Sequence, residues 1–549
     1  MLVELSFPSN HSGARARQQH LFYLLQNCKT IQQLTQIHAQ IITTGLTQKN
    51  FILGKLLTFC IIFQRLSYAT QVFEWVRNPS TILWNQIIRG HASGEQPPLS
   101  VLYFRKMENS TALPDGYTYS YVINSCAKGV LMCEGEQVHG KILKNGYFSD
   151  VFVQSNLVNF YSVVSRQQGT VSASKVFDEM TKRTPVAWNS LISGYFRSGN
   201  FNEASRIFHE MPEKNGVSWT AMIAGSAQNH RCKEALSFFR AMRRNCVEID
   251  QVTLVSILAT CAEMAVLDLG RWIHSYILES IIAKSGQVLI SVNNALMHMY
   301  ASCGEIKDAY KIFMEMRERT IVSWNTMITG LAKQGYAREA LTIFGEMETL
   351  KAKPDEITIL GILSACSHAG YVNEGRFYFK RMRECYGVEP RVQHYGCMVD
   401  LLSRAGLSNE AERLVKCMPM VPNNAVWGAL LSGCIIHKNL NLASDVAQKF
   451  IVELEHPERS AGYFMLLSNV YATHKRWSAI GSVRRNMFEV GVRKPPGQSC
   501  IRVGGVDHDF FAGDRNHKQT YLIYEMVDEI TGQAKLQGYY QSDILDSFS

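Results

Sequence analysis

Residues 321–355 read IVSWNTMITGLAKQGYAREALTIFGEMETLKAKPD. Trp324, Met327, Ile328 and Leu331 recur at helical spacing, so they share one face of a helix. Gly335 interrupts the run, and Ala340, Leu341, Phe344 and Met347 then repeat the stripe. Glu339 and Glu346 fall off it. Pro354 ends the second helix, because proline has no N–H to donate and clashes with the preceding turn. The stretch predicts two short amphipathic helices, and neither can bury its stripe alone.

The same frame recurs along the chain. TILWNQII, PVAWNSLI, GVSWTAMI and NAVWGALL place Trp84, Trp188, Trp219 and Trp427 in the position of Trp324. Intervals of 104 (Trp84 to Trp188), 105 (Trp219 to Trp324) and 103 residues (Trp324 to Trp427) are too long for one unit. A second landmark divides them: Cys126, Cys261 and Cys366 each follow their Trp by 42 residues. A third is the series LVNFYS, LMHMYA and MVDLLS. The array therefore cycles through three related types. Its units count out as 18–49, 50–80, 81–115, 116–150, 151–184, 185–215, 216–250, 251–289, 290–320, 321–355, 356–391 and 392–423. Stacked neighbours bury a continuous core and leave an extended concave face.

Composition agrees. Apolar residues are 46% and charged residues 19% of the 549, an ordinary globular mixture that excludes disordered and collagen-like chains. A net charge of +9 permits a polyanionic partner without demanding one. The 14 Cys are scattered with no Cys-x-x-Cys, which favours a reducing compartment. The longest apolar run, residues 51–63, contains Lys55, so no membrane span is expected. Residues 1–17 carry Arg15 and Arg17 with three serines against Glu4 and lean toward a short organellar targeting segment.

These residues resemble pentatricopeptide repeats. The three-type cycle is similar to the plant PLS subfamily, over roughly 18–423. Residues 321–355 look like a P motif, EITILGILSACSHAGYVNEGRFYF like an L motif, and HYGCMVDLLSRAGLSNEAERL like a final S motif. NAVWGALLSGCIIHKNLNLAS and GYFMLLSNVYATHKRW resemble the family's E extension, 424–495. Pro496-Gly497, VGGVDHDFFAGDRNH and LQGYY resemble the E+ tail, 496–549, without the deaminase domain that follows in other members. The resemblance implies an all-α fold: a right-handed α-α superhelical solenoid of helix-turn-helix repeats with a helical C-terminal E/E+ extension.

Helical repeat readers address one RNA base per repeat through two or three side chains. By resemblance those are the fifth and last residues of a unit. Asn85 with Asp115 then favours U, Asn189 with Asn215 a pyrimidine, Thr220 with Asp250 G, Asn294 with Thr320 a pyrimidine, and Asn325 with Asp355 U. Ser155 with Thr184 is ambiguous, Gly54/Ser80 and Gly396/Asn423 are hard to decode, and Ser120, Val255 and Leu360 occupy the fifth place of the L units. A single Asn at a helix start is more often an N-cap than a reader. Recurrence of Asn or Thr at one frame position in five units reverses those odds.

No enzyme chemistry is expected. His456-Pro457-Glu458 matches half of a zinc deaminase signature, but the Cys pair it needs is missing from the sequence. Cys126/His139 and Cys261/His274 share a spacing, yet the third unit carries Phe379 in place of His, which suits packing and not metal binding. GEQVHGK at 135–141 lacks the hydroxyl residue of a phosphate loop, since Ile142 follows. The expected function is sequence-specific binding of single-stranded organellar RNA for C-to-U editing, with no cofactor. The partners implied are a deaminase-domain protein in trans and multiple organellar RNA editing factors. The expected compartment is the mitochondrion, with the chloroplast as alternative. Splicing, stabilisation or end-processing of RNA, or a protein-binding solenoid, are the other readings.

Overall fold

The computed structural model describes residues 11–94, 96–164, 168–282 and 288–437, then 439, 442, 443, 446, 461–473, 475–489, 491, 492, 497–503, 506–511, 515, 517 and 519–536. His456-Pro457-Glu458, residues 1–10 and residues 537–549 lie outside the described residues. The chain divides into two units, Met1–Gly330 and Leu331–Ser549.

The stretch 216–250 shows why the sequence forms helix pairs. Asn215 opens helix Gly216–Gln228 by accepting the Ser218 N–H at 2.9 Å, and Ser218 Oγ in turn accepts the Asn215 backbone N–H at 3.3 Å. Trp219, Met222 and Ile223 are buried along one stripe. The second helix, Cys232–Arg244, buries Ala235, Leu236, Phe239 and Met242. His230 between them has φ +56°, the left-handed conformation that reverses the chain. From unit 50–80 onward the fifteenth residue repeats this wherever it is described: Gln64, Val130, Gly199, Ala265, Gly304, Gly335, Gly370 and Gly406 all have positive φ.

Within Met1–Gly330 each first helix packs on its own second helix and on the next first helix. Thus Thr81–Ser93, Gly116–Gly129, Val151–Val164, Pro185–Arg197, Gly216–Gln228, Gln251–Met264 and Ile290–Ser302 form one continuous layer. Small residues permit that approach: a Cβ on Gly194 would lie 2.8 Å from Ser162 Cβ of the preceding first helix. Polar side chains then stitch successive first helices at their C-terminal ends, where carbonyls lack partners. Lys128 Nζ donates to the Ser93 and Gly94 carbonyls at 2.8 Å, and Arg197 Nη1 to Ser162 O at 3.2 Å. At unit junctions Arg183 and Arg319 lie over Phe177 and Phe313, which meet Trp188 and Trp324 edge-on.

In Leu331–Ser549 the pairs continue as Glu356–Ala369 with Val372–Glu384 and Val392–Arg404 with Ser408–Lys416. Helix Asn424–Ile436 packs on Val392–Arg404, so Trp427, Leu430 and Leu431 share a core with Val399, Leu402 and Val415. Helices Ala461–Thr473 and Trp477–Glu489 bury Phe464, Leu467, Val483 and Met487. Among the described residues the tail departs from the helical expectation at one pair of strands. Gln498–Val503 and Val506–Phe511 pair antiparallel, with Val503 opposite Val506. Gly504-Gly505 stands between two alternating runs in the sequence, the composition of a two-residue hairpin connection. Among the described residues no helix is long and apolar enough to cross a membrane.

Candidate nucleic-acid interface

The fifth and last residues of a unit come together because of where the helices begin. The fifth lies one turn into the first helix, and the last is the N-cap of the following first helix. The capping role therefore falls on the last residue and not on the fifth.

Asn85 Nδ2 donates to Asp115 Oδ1 at 3.0 Å and Oδ2 at 3.2 Å. Asp115 also accepts the Thr118 N–H at 2.8 Å, and Thr118 Oγ1 donates to Asn85 Oδ1 at 2.6 Å. Thr220 Oγ1 donates to Asp250 Oδ2 at 3.0 Å and lies 2.9 Å from Thr253 Oγ1, while Asp250 caps Thr253 N. Each pair is thus held by a hydroxyl at the third position of the next unit, a residue the sequence reading passed over. The signal was visible: Thr118, Ser218, Thr253, Ser323 and Thr358 all stand three residues after a unit's last residue.

Asn189 and Asn294 differ. Asn294 is 9% exposed, and the buried side-chain oxygens of both have no partner. Their last residues face the next helix: Asn215 caps Ser218, and Thr320 Oγ1 lies 3.2 Å from Ser323 Oγ. Asn325 is 6% exposed in Met1–Gly330. Asp355, in Leu331–Ser549, caps helix Glu356–Ala369 by accepting Thr358 N at 2.8 Å. The ambiguous Ser155 and Thr184 are joined, Oγ to Oγ1, at 2.8 Å. In the L units Ser120 is buried with an unpartnered hydroxyl.

A second row flanks this one. The second residue of a unit is apolar and exposed in Phe51, Ile82, Tyr117, Phe152, Val186, Val217, Val252, Val322 and Ile357. An apolar side chain held one residue off the buried stripe, unit after unit, is the signal that could have found it. Nucleobases have apolar faces and polar edges, so polar pairs alternating with exposed apolar side chains suit a single strand.

The Cys–His positions are packing groups. Burial pushes the Cys126, Cys261 and Cys366 thiols up to about 12, which keeps them neutral. His139 Nδ1 lies 2.8 Å from Tyr161 OH and His274 Nδ1 2.9 Å from Tyr300 OH. Phe379 meets Tyr395 edge-on at 5.2 Å instead. Residues 135–141 lie inside helix Met132–Lys144, not in a phosphate loop.

Comparison with known proteins agrees with this architecture. The PPR repeat family model matches residues 319–368, and the PPR repeat model matches 186–216, 217–247, 294–321, 361–386 and 394–420. The E motif model matches 437–502. A pentatricopeptide repeat-containing protein of Arabidopsis thaliana named chloroplastic/mitochondrial is 35% identical over 541 residues, 96% of this chain and 79% of its own length. Another from Arabidopsis thaliana is 40% identical over 505 residues, 92% of this chain and 93% of its own. Among solved structures, the maize pentatricopeptide repeat protein PPR10 aligns with a TM-score of 0.49 at 16% identity, covering 87% of this chain and 84% of its own. With its repeats, its E motif and relatives that match along nearly its whole length, the chain belongs to the pentatricopeptide repeat family.

Proposed function

We propose that the chain is a sequence-specific single-stranded RNA-binding protein of an organelle, and that it selects sites for C-to-U editing. A deaminase recruited in trans would supply the reaction. The observation that carries the reading is the pairing of fifth and last side chains, Asn85 with Asp115 and Thr220 with Asp250, fixed before any ligand arrives. Side chains ordered in advance lose less entropy on binding and discriminate bases better. On this reading Asn85/Asp115, Asn189/Asn215, Thr220/Asp250, Asn294/Thr320 and Asn325/Asp355 contact successive bases, and the exposed second residues cover base faces. We divide the chain accordingly into repeats over 18–423, an E extension over 424–495 and a tail over 496–549. The PLS cycle and the E motif at 437–502 favour editing over other RNA outcomes. Relatives named chloroplastic or mitochondrial favour an organelle, and we place the protein in the mitochondrion, the chloroplast being the alternative.

The test is transcript sequencing in a line lacking the protein, scoring every C-to-U site and every transcript end. Loss of editing at one or a few sites is the expected result. Intact editing with altered splicing or ends would replace editing by RNA processing. No RNA phenotype, together with purified protein that shows no salt-sensitive RNA binding, would leave a protein-binding solenoid.

A further inference from the structure

Helix Thr520–Leu536 carries an apolar stripe open to solvent. Ile523, Met526, Val527 and Ile530 recur at i, i+3, i+4 and i+7, so they share one face. Met526 is 63%, Val527 49% and Ile530 59% exposed. Glu525, Asp528 and Glu529 fall on the other faces. Keeping such a stripe in water costs free energy that an apolar partner surface recovers. The helix has the make-up of half an interface, an apolar seam backed by acids.

A recess of the opposite character lies in the first units. Helices Asn50–Ile62, Leu66–Glu74, Thr81–Ser93 and Pro97–Glu108 border a cavity of about 1410 Å³, and Ile61, Leu66, Pro97, Pro98 and Leu99 stand on its wall. That volume exceeds the roughly 300–1,000 Å³ of small-molecule sites and suits a polypeptide segment. Gln64, Ser67, Ser93 and Gln96 are exposed on the same wall and give it a polar rim. An apolar centre with a polar rim is the anatomy of a protein interface. The two deeper polar side chains turn to each other: His91 Nε2 lies 3.2 Å from Thr70 Oγ1. Lys128 Nζ, also on the wall, donates to the Ser93 and Gly94 carbonyls at 2.8 Å. Both acceptors are uncharged, so the ammonium keeps its charge at the rim. Net charge divides in the same sense. Residues 1–130 hold 11 Lys and Arg against 5 Asp and Glu, and so carry +6 of the chain's +9. In helix Thr520–Leu536 three acids stand against Lys535 alone.

We propose that helix Thr520–Leu536 of one copy docks in this recess of a second copy. Its stripe replaces the water on Leu66, Pro98 and Leu99, and its acids meet a basic surface. Each copy presents both halves, the recess in Met1–Gly330 and the helix in Leu331–Ser549, so the contact is head to tail. One homotypic contact covers both open surfaces. It is independent of the RNA reading above.

The test is sedimentation equilibrium of the full chain, freed of nucleic acid, from about 1 to about 100 μM, the range in which a small interface associates. The mean mass of the wild type should rise with concentration. Ile530→Glu places a charge in the stripe. Pro98→Glu places a carboxylate in the recess, where it repels the acidic helix. Both positions are exposed, and an acid suits the first turn of helix Pro97–Glu108. Each variant alone should associate about ten-fold more weakly or less, since a like or unpaired charge in a contact is costly. Mixing the two variants should restore association, because the recess of Ile530→Glu and the helix of Pro98→Glu are both intact. Ser67→Glu, exposed on the same wall, repeats the recess arm should Pro98→Glu fail to fold. Wild-type association of either variant alone, or a mixture that does not recover, overturns the inference; the first result from the recess variant would show stripes pairing with each other. A wild type that stays monomeric to about 100 μM overturns it too, and leaves the stripe to a different protein.

Discussion

Replacing Thr118 with valine removes one hydroxyl and keeps the shape of a fully buried, β-branched side chain. That hydroxyl touches Asn85 Oδ1 at 2.6 Å and Asp115 Oδ1 at 3.0 Å, and it accepts the Asp115 N–H at 3.1 Å. The substitution loses the hydrogen bonds and leaves a backbone donor and an amide oxygen unmet. Net hydrogen bonds contribute about 1 kcal/mol and an unmet buried group costs about 1–3 kcal/mol, so the stability loss should be about 2 kcal/mol. The effect on RNA is separate. Freeing the Asn85 side chain restores a rotameric freedom of about 0.5–1.5 kcal/mol, which binding must then remove. Affinity should fall about 2- to 13-fold, and discrimination of U at the nucleotide facing unit 81–115 should fall with it. Urea denaturation gives the first quantity, and anisotropy with RNAs differing at that nucleotide gives the second. A Thr118→Val protein that loses stability yet keeps wild-type affinity and base preference would refute the idea that pre-ordering of the pair contributes to reading.

Three further predictions follow from particular residues. Thr220→Asn should move the preference at one nucleotide from G toward a pyrimidine; an unchanged profile in selection from random RNA would sink the residue mapping. Val130 is β-branched, 58% exposed and left-handed at φ +54°, where five other units carry Gly199, Gly304, Gly335, Gly370 and Gly406. Val130→Gly should therefore raise stability by about 1 kcal/mol in chemical denaturation, and a fall would show that the side chain contributes more than its strain costs. Burial holds His139 and His274 below the ordinary 6.5, so the unfolded chain takes up protons first as pH drops. Their contribution is complete above about pH 6.5 and declines as pH falls through the lowered folded values. His274→Phe, copying Phe379, should flatten the loss of denaturation midpoint between about pH 7.5 and about pH 5.5; a slope equal to wild type would contradict this.

The helix pairs were legible because their cause is local. The stripe of Trp219, Met222 and Ile223 and the break near His230 are written in adjacent residues. The fifth and last residues were legible for a different reason: a frame repeated many times turns a weak Asn signal into a strong one. What escaped depends on neighbours distant in sequence. Thr118 contributes to the site of the preceding unit, 33 residues from Asn85, so a reading confined to single units could not assign it. The space beside Gly396 is bounded by Val426, 30 residues on, whose Cγ2 would lie 3.8 Å from an added Cβ. The hairpin at 498–511 had its signal in Gly504-Gly505 between alternating runs, but a helical expectation for the tail hid it. First helix His11–Gln26 likewise begins inside the stretch 1–17 that composition set apart.

The hydroxyl at the third position has an evolutionary consequence. Each candidate letter is spelled by two residues of one unit, yet for Asn85/Asp115 and Thr220/Asp250 the grammar that fixes it is supplied by the next, through Thr118 and Thr253. Ser218, Ser323 and Thr358 carry a hydroxyl at the same place in their units. A genetic exchange cut at a unit boundary therefore transplants a letter into any context that opens with such a residue, and the cap reforms without further change. An exchange cut between the two helices of a unit separates the two halves of the letter. Recombination in such an array should leave its breakpoints at the boundaries, and new specificities can arise by shuffling whole units rather than by accumulating point substitutions.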